Sequence, residues 1–370
     1  LGFALTLIPF SYAVAGLMTK QYTEWIKPVL SWTFLGIGIL GIGILLGGAW
    51  AYESLSFGGF WAWDPVENAS FIPWIVLVGA GHVMLVNRKK NISLFSTLLL
   101  SMMAFVLVFY STFLTRSGIL GDSSVHSFTG EGMLGLLLSF LLIFFFISIY
   151  NLLINKRLKL YFVVFTAALA AIQLLTDISF KISDFEITNT SIVATVAFLG
   201  VLAFLITSYN KYFPKPEAEE HLWSREFWMF IGSLILVLAA VQILLPTSIP
   251  VWNKVFGTNI DPITESIERN AFYNKWQVPF AFFVTLLIAI SQYFSYKKSN
   301  IKKVLNHLSA SFFISIAISV TLSLLVFNEE WSFSNDLLLF SAIFSVLANL
   351  NYYIKFLKGR LSHGGSSIAH

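Results

Sequence analysis

The residues of this chain that could do chemistry are concentrated in one aromatic loop and six histidines. The loop reads Ala51-Tyr52-Glu53-Ser54-Leu55-Ser56-Phe57-Gly58-Gly59-Phe60-Trp61-Ala62-Trp63-Asp64-Pro65-Val66-Glu67-Asn68-Ala69-Ser70-Phe71-Ile72-Pro73-Trp74. Three tryptophans, three phenylalanines and a tyrosine in 24 residues make a shelf on which a flat apolar macrocycle would lie well. Gly58 and Gly59 let backbone approach such a ring closely, and Pro65 fixes the acids Asp64 and Glu67 within the apolar patch. The plain alternative is an aromatic belt that anchors helices at headgroup level and needs no ligand.

Two histidines stand inside or at the start of apolar runs. His82 lies in Val78-Gly79-Ala80-Gly81-His82-Val83-Met84. An ionisable group within a membrane span is costly and points to function, with a cross-helix hydrogen bond as the competing reading. His82 precedes Arg88, and His370 follows Gly364, by six residues each, which at 1.5 Å per residue puts both imidazoles about 9 Å inside the same face. Two histidines at one depth on different helices can clamp one iron from both sides. Gly79, Ala80, Gly81, Gly364, Gly365, Ser366 and Ser367 either leave room for a macrocycle or let helices pack closely. His126 follows Ser123 and Ser124 in a polar loop; it is either a solvated residue or, as neutral imidazole, an axial ligand. His221, His307 and His363 fall in basic or mixed loops and read as surface residues.

The elements that position these residues must be membrane helices. Of the 370 residues 57% are apolar and 11% charged, and the mean hydropathy is +0.78. Soluble domains carry about a quarter charged residues, so a water-soluble globular protein is excluded. Runs of roughly 17 to 22 apolar residues are long enough to span a bilayer, and lipid admits them only as helices. The fold class is an all-α integral membrane protein, a polytopic helix bundle of eleven full spans and the start of a twelfth. Expected limits are 2–18, 29–50, 71–87, 94–115, 133–154, 160–177, 191–210, 227–245, 277–294, 309–327 and 337–354, the last run starting near Gly364. The chain reads as a single bundle over 1–370, and as a fragment, since it opens at Leu1 inside one run and stops at His370 inside another.

Charge orients the spans. Alternate loops hold 18 of the 23 Lys and Arg residues, the pattern of a cytoplasmic side, and the opposite loops hold Arg116, Lys181, Lys254, Arg269 and Lys275. The aromatic loop 51–74 and the loop 116–132 with His126 fall on that second side, facing the periplasm. The absence of cysteine excludes disulfides and thiolate ligands. No phosphate loop, zinc-protease helix or nucleophile elbow is present, and nothing supports nucleic-acid binding.

The string Gly59-Phe60-Trp61-Ala62-Trp63-Asp64-Pro65-Val66-Glu67-Asn68-Ala69-Ser70-Phe71-Ile72-Pro73-Trp74, with Gly58 before it, resembles the tryptophan-rich WWD signature of the haem-handling family of cytochrome c biogenesis, which includes CcmF, CcmC and CcsA. The Asp-Pro-Val-Glu-Asn-Ala-Ser core is similar to the CcmF kind. Phe57, Phe60 and Ala62 depart from its aromatic pattern. Ser111 to Leu120 with Ser124-Val125-His126-Ser127-Phe128, Leu222 to Glu226, and Phe272-Tyr273-Asn274 resemble further CcmF segments, while 158–213 reads as an inserted helix pair.

The resemblance implies a haem lyase that joins haem vinyl groups to apocytochrome c cysteines as thioethers, acting as a subunit of a complex in the bacterial inner membrane. Substrate haem would rest on Gly58, Gly59, Trp61, Trp63, Asp64, Glu67, Asn68 and Trp74. His126 and a histidine upstream of this chain would ligate it. His82 and His370 would hold a permanent haem b. No catalytic residue is assigned. Implied partners are haem, apocytochrome c, a CcmE-like haem chaperone, other Ccm subunits and membrane lipid. Arg116 would pair with a haem propionate through its planar fork, or else anchor the interface. A haem exporter, which would need polar residues along a path, is disfavoured by the nearly apolar runs 94–115 and 133–154. A membrane b-haem electron carrier would need no tryptophan shelf.

Overall fold

A computed structural model describes residues 1–54, 59–90, 93–121, 123–124, 132–182, 185–215, 221–295, 299–327 and 332–357. Eleven helices among these residues are long and apolar enough to cross a membrane. The first span is split into α1 (Gly2–Leu5) and α2 (Leu7–Thr19). It is followed by α3 (Ile26–Ser54), α4 (Pro65–Lys90), α5 (Leu94–Arg116), α6 (Leu134–Leu152) and α7 (Lys156–Leu175). After a hairpin of β1 (Ser179–Ile182) and β2 (Phe185–Thr188) come α8 (Asn189–Lys211), α9 (Arg225–Thr247) and the short α10 (Ile249–Phe256). The rest is α11 (Ser266–Ile290), α12 (Ile301–Leu322) and α13 (Phe333–Leu357).

All eleven expected spans are present. Helices α11 and α12 begin well before their apolar runs at 277 and 309, because a run marks the width of hydrocarbon while the helix extends into the interface. Helix α10 and the β1–β2 hairpin lie in connections the hydropathy pattern leaves blank. The expected twelfth span near Gly364 lies outside the described residues.

Several polar side chains find partners close by in the chain. Asn155 caps α7 by accepting from the N–H groups of Arg157 and Leu158 at 2.9 and 3.2 Å, and Asn300 caps α12 in the same way. Buried hydroxyls turn back on their own helix: Thr97 Oγ1 donates to Ser93 O at 2.7 Å and Ser101 Oγ to Thr97 O at 2.5 Å. Ser93 also donates to Val83 O at 3.2 Å, tying α5 to α4.

The chain forms two compact units. The first comprises Leu1–Glu217 and Ala240–Phe272. Its core joins Phe10, Leu17, Trp25, Ile26, Met84, Leu98, Met102 and Phe105, with Phe144 stacked on Phe109 at 4.7 Å. The second comprises Ala218–Ala239 and Tyr273–His370. There Phe294, Val304, Leu308, Phe344 and Ala348 pack together, and Gln292 Nε2 donates to Asn349 Oδ1 at 2.8 Å. Interhelical amide bonds of this kind join helices where lipid supplies no hydrophobic drive.

Candidate functional site

The acidic pair of the aromatic loop sits at the start of α4. Asp64 is the residue before the helix, Pro65 opens it, and Asn68 N–H to Asp64 O at 2.9 Å is its first turn. Asp64 Oδ1 accepts from Val66 N–H at 2.9 Å. Glu67 Oε2 reaches back to the N–H groups of Asp64 at 3.0 Å and Ala62 at 3.1 Å. Asp64 thus caps the helix at its second N–H while Glu67 reaches back to the residue before the helix, a relative of the capping box that places negative charge at the positive end of the helix dipole. The acids therefore shape the loop. Replacing Glu67 with alanine should cost ~1–2 kcal/mol, as loss of a helix cap does. The readout is a lower thermal midpoint together with faster amide exchange at Ala62 and Asp64. An unchanged midpoint and unchanged exchange would sink this role.

The box holds an uncommon backbone. Trp63 has φ of +51°, a left-handed conformation rare for a bulky side chain. The flanking peptide groups hold it there. Ala62 and Asp64 donate to Glu67, Ala62 O accepts from Arg269 Nε at 3.0 Å, and Trp63 O accepts from Asn68 Nδ2 at 3.0 Å. The same Nδ2 donates to Thr247 Oγ1 at 3.1 Å.

This conformation aligns the rings. Trp61 meets Trp63 edge-on at 5.8 Å and Phe71 at 5.4 Å, and Phe71 stacks on Trp74 at 5.6 Å with 20° between planes. Trp74 is pinned by its Nε1–H to Ile37 O at 2.9 Å. Helix α3 makes room with two glycines: a Cβ on Gly41 would stand 3.0 Å from Trp74 Nε1, and one on Gly48 would stand 2.9 Å from Phe60 O. Trp61, Trp63 and Trp74 are half-buried, so each keeps surface to offer a ligand.

The second loop is fastened to the first. Beyond Gly118, with φ of +78°, Ser123 and Ser124 both donate their N–H to Leu120 O. Ser124 Oγ donates to Asp64 Oδ1 at 2.7 Å, and both residues are buried. Ser124, two residues before His126 in sequence, is thus tied to the base of the aromatic loop. Tyr110 OH donates to Ser248 Oγ at 2.6 Å, so the α9–α10 junction joins the same cluster. Connections that alternation of the spans puts on one side meet here.

His126, Gly58 and His370 lie outside the described residues. Gly59 has φ of +70°. Arg116 is exposed in the last turn of α5, where the helix dipole favours a cation. His82 is half-buried, and its Nδ1 donates to Val78 O at 2.8 Å. A ring nitrogen held by a backbone carbonyl is the kind of orienting contact that metal-ligating histidines make. Of the small residues beside it, Gly81 serves close packing: a Cβ there would meet Ile37 Cδ1 at 3.2 Å and Phe34 Cζ at 3.5 Å. His221 is exposed. His307, expected in a loop, lies within α12, half-buried and 6.5 Å from the Tyr293 ring.

The sequence reading passed over Arg269, Thr247, Gly41 and Gly48. Arg269 carried one signal, being among the few cations on the minority side of the charge split.

Residues 1–120 match the family model described as cytochrome C assembly protein. The cytochrome c-type biogenesis protein ccl1 of Rhodobacter capsulatus is 42% identical over 149 residues, 39% of this chain and 22% of that protein. CcmF of Pseudomonas fluorescens is 27% identical over 337 residues, 90% of this chain and 41% of the relative. CcmF of Escherichia coli is 26% identical over 326 residues, 87% and 40% of the two chains. A solved structure of the cytochrome c haem lyase CcmF shares the fold with a TM-score of 0.59 at 20% identity, covering 98% of this chain and 44% of that one. The chain spans less than half the length of these relatives.

Proposed function

We propose that this chain, which is of the CcmF type by sequence likeness and by fold, is the haem-handling part of a cytochrome c haem lyase. The observation that carries this reading is the ring ladder of Trp61, Trp63, Phe71 and Trp74, held on a capped helix to whose base Ser124 is fastened. A belt that only anchors helices would need neither a left-handed tryptophan nor four bonds to hold it.

On this reading substrate haem lies against the tryptophan faces, with His126 and a histidine upstream as axial ligands, on the periplasmic side of the bacterial inner membrane. A CcmE-like chaperone delivers it and apocytochrome c meets it there. Each cysteine S–H adds across a vinyl C=C: sulfur bonds to the carbon beside the ring, and the terminal carbon takes the proton. No oxidant or reductant is consumed in the addition. The chain's contribution is placement, which by itself lowers a barrier by several kcal/mol. His82 and His370 would hold a second haem, of the b type, which supplies one-electron chemistry to keep the substrate iron ferrous. His82 Nδ1, spent on Val78 O, fits that role.

The test is coexpression of the full-length protein with an apocytochrome c and staining for covalent haem. Trp61→Ala and Trp63→Ala should each weaken haem loading by about tenfold, the loss of one good ring contact with its buried area. Normal cytochrome c assembly by both variants would reduce the shelf to an interfacial belt.

A further inference from the structure

We infer that Arg269 is the anionic anchor of this site: its guanidinium takes a carboxylate of the ligand lying on the tryptophan loop, a haem propionate if the function proposed above holds. Arg269 belongs to the first turn of α11 and is only 6% exposed. Its Nε donates to Ala62 O at 3.0 Å and its Nη1 to Thr264 O at 3.2 Å. Both acceptors are neutral carbonyls, and among the described residues no carboxylate pairs with it. The acids nearest in sequence, Glu265 and Glu268, are exposed. Withdrawing a charge from water without a counter-charge is strongly unfavourable, so a buried arginine normally has its anion beside it. Among the described residues that anion is missing, and a ligand with a carboxylate edge would supply it.

The position says where. Ala62 lies between Trp61 and Trp63, so the guanidinium is seated against the backbone of the ring ladder. Nε and one Nη1 hydrogen are spent on carbonyls, and the rest of the planar donor fork matches a carboxylate. The ligand implied is flat, apolar and acidic at one edge. Arg116, by contrast, is exposed.

The experiment titrates the purified full-length protein with haem and, separately, with haem dimethyl ester, whose propionates are uncharged, following the absorbance of added haem. The native protein should bind haem about tenfold more tightly than the ester, the worth of a charge-assisted hydrogen bond. Arg269→Gln should bind both at the ester's affinity, and Arg269→Lys should keep part of the preference. An equal affinity of the native protein for the two ligands would overturn the inference without any variant, as would an Arg269→Gln protein that still prefers the free acid. Failure of the underlying functional reading looks different: Trp61→Ala and Trp63→Ala would then leave the affinity for both haem and ester unchanged.

Discussion

Full-length protein carrying His82→Ala lacks the low-spin absorbance of a bis-imidazole haem. The expectation follows from the place of His82 within a membrane span and from the bond between Nδ1 and Val78 O, which orients the ring. Losing one axial imidazole leaves a five-coordinate or water-ligated iron, whose spectrum is high-spin. His370→Ala should behave alike, since the sequence spacing expects both histidines at one depth, and His307→Ala should keep the spectrum, because that ring packs on Tyr293. Visible spectra of the purified proteins decide the matter. A low-spin signal that survives both His82→Ala and His370→Ala would remove the internal haem from the proposal.

Alanine at His126 should stop covalent attachment altogether while leaving protein level and the internal haem signal intact. Ser124, two residues earlier, is fixed to Asp64 Oδ1, so the segment keeps its starting point when the imidazole is gone. The sequence places His126 in a polar loop, where a substitution is expected to cost little stability. Added imidazole should partly restore attachment by filling the vacated coordination position. Haem staining of cytochrome c in cells lacking any second lyase is the measurement, and full staining by the variant would end the assignment. Disappearance of the protein itself would mark His126 as structural.

The spans were legible because a hydrocarbon slab imposes one requirement on every helix, an unbroken apolar length, and that requirement is written locally. What the slab does not govern was silent in the sequence: the β1–β2 hairpin, α10 and the interfacial turns of α11 and α12. The site divides similarly. Aromatic content and the Asp64-Pro65-Val66-Glu67 spacing were readable, although the spacing means a helix cap before it means reactive acids. The left-handed Trp63 was not readable, since no propensity favours it there. Its support comes from partners as distant as Arg269, 207 residues along the chain from Ala62. The chemistry-bearing types could be named from composition, and the straps that aim them only from the fold.

The join between α6 and α8 bears on the history of such a chain. Ser208 Oγ donates to Leu152 O at 2.7 Å, and Phe213 packs on Phe95 at 5.0 Å, so the chain returns beside the point from which α7 departed. The intervening pair is closed at its far end by Asn189, whose amide donates to Ile172 O and Thr176 O. A segment whose two ends already touch, and which crosses the membrane an even number of times, can be gained or lost in one genetic event without re-threading any other helix. The same closure makes it a natural seam for excision, because a short turn from Leu152 to Ser208 has almost no distance to bridge.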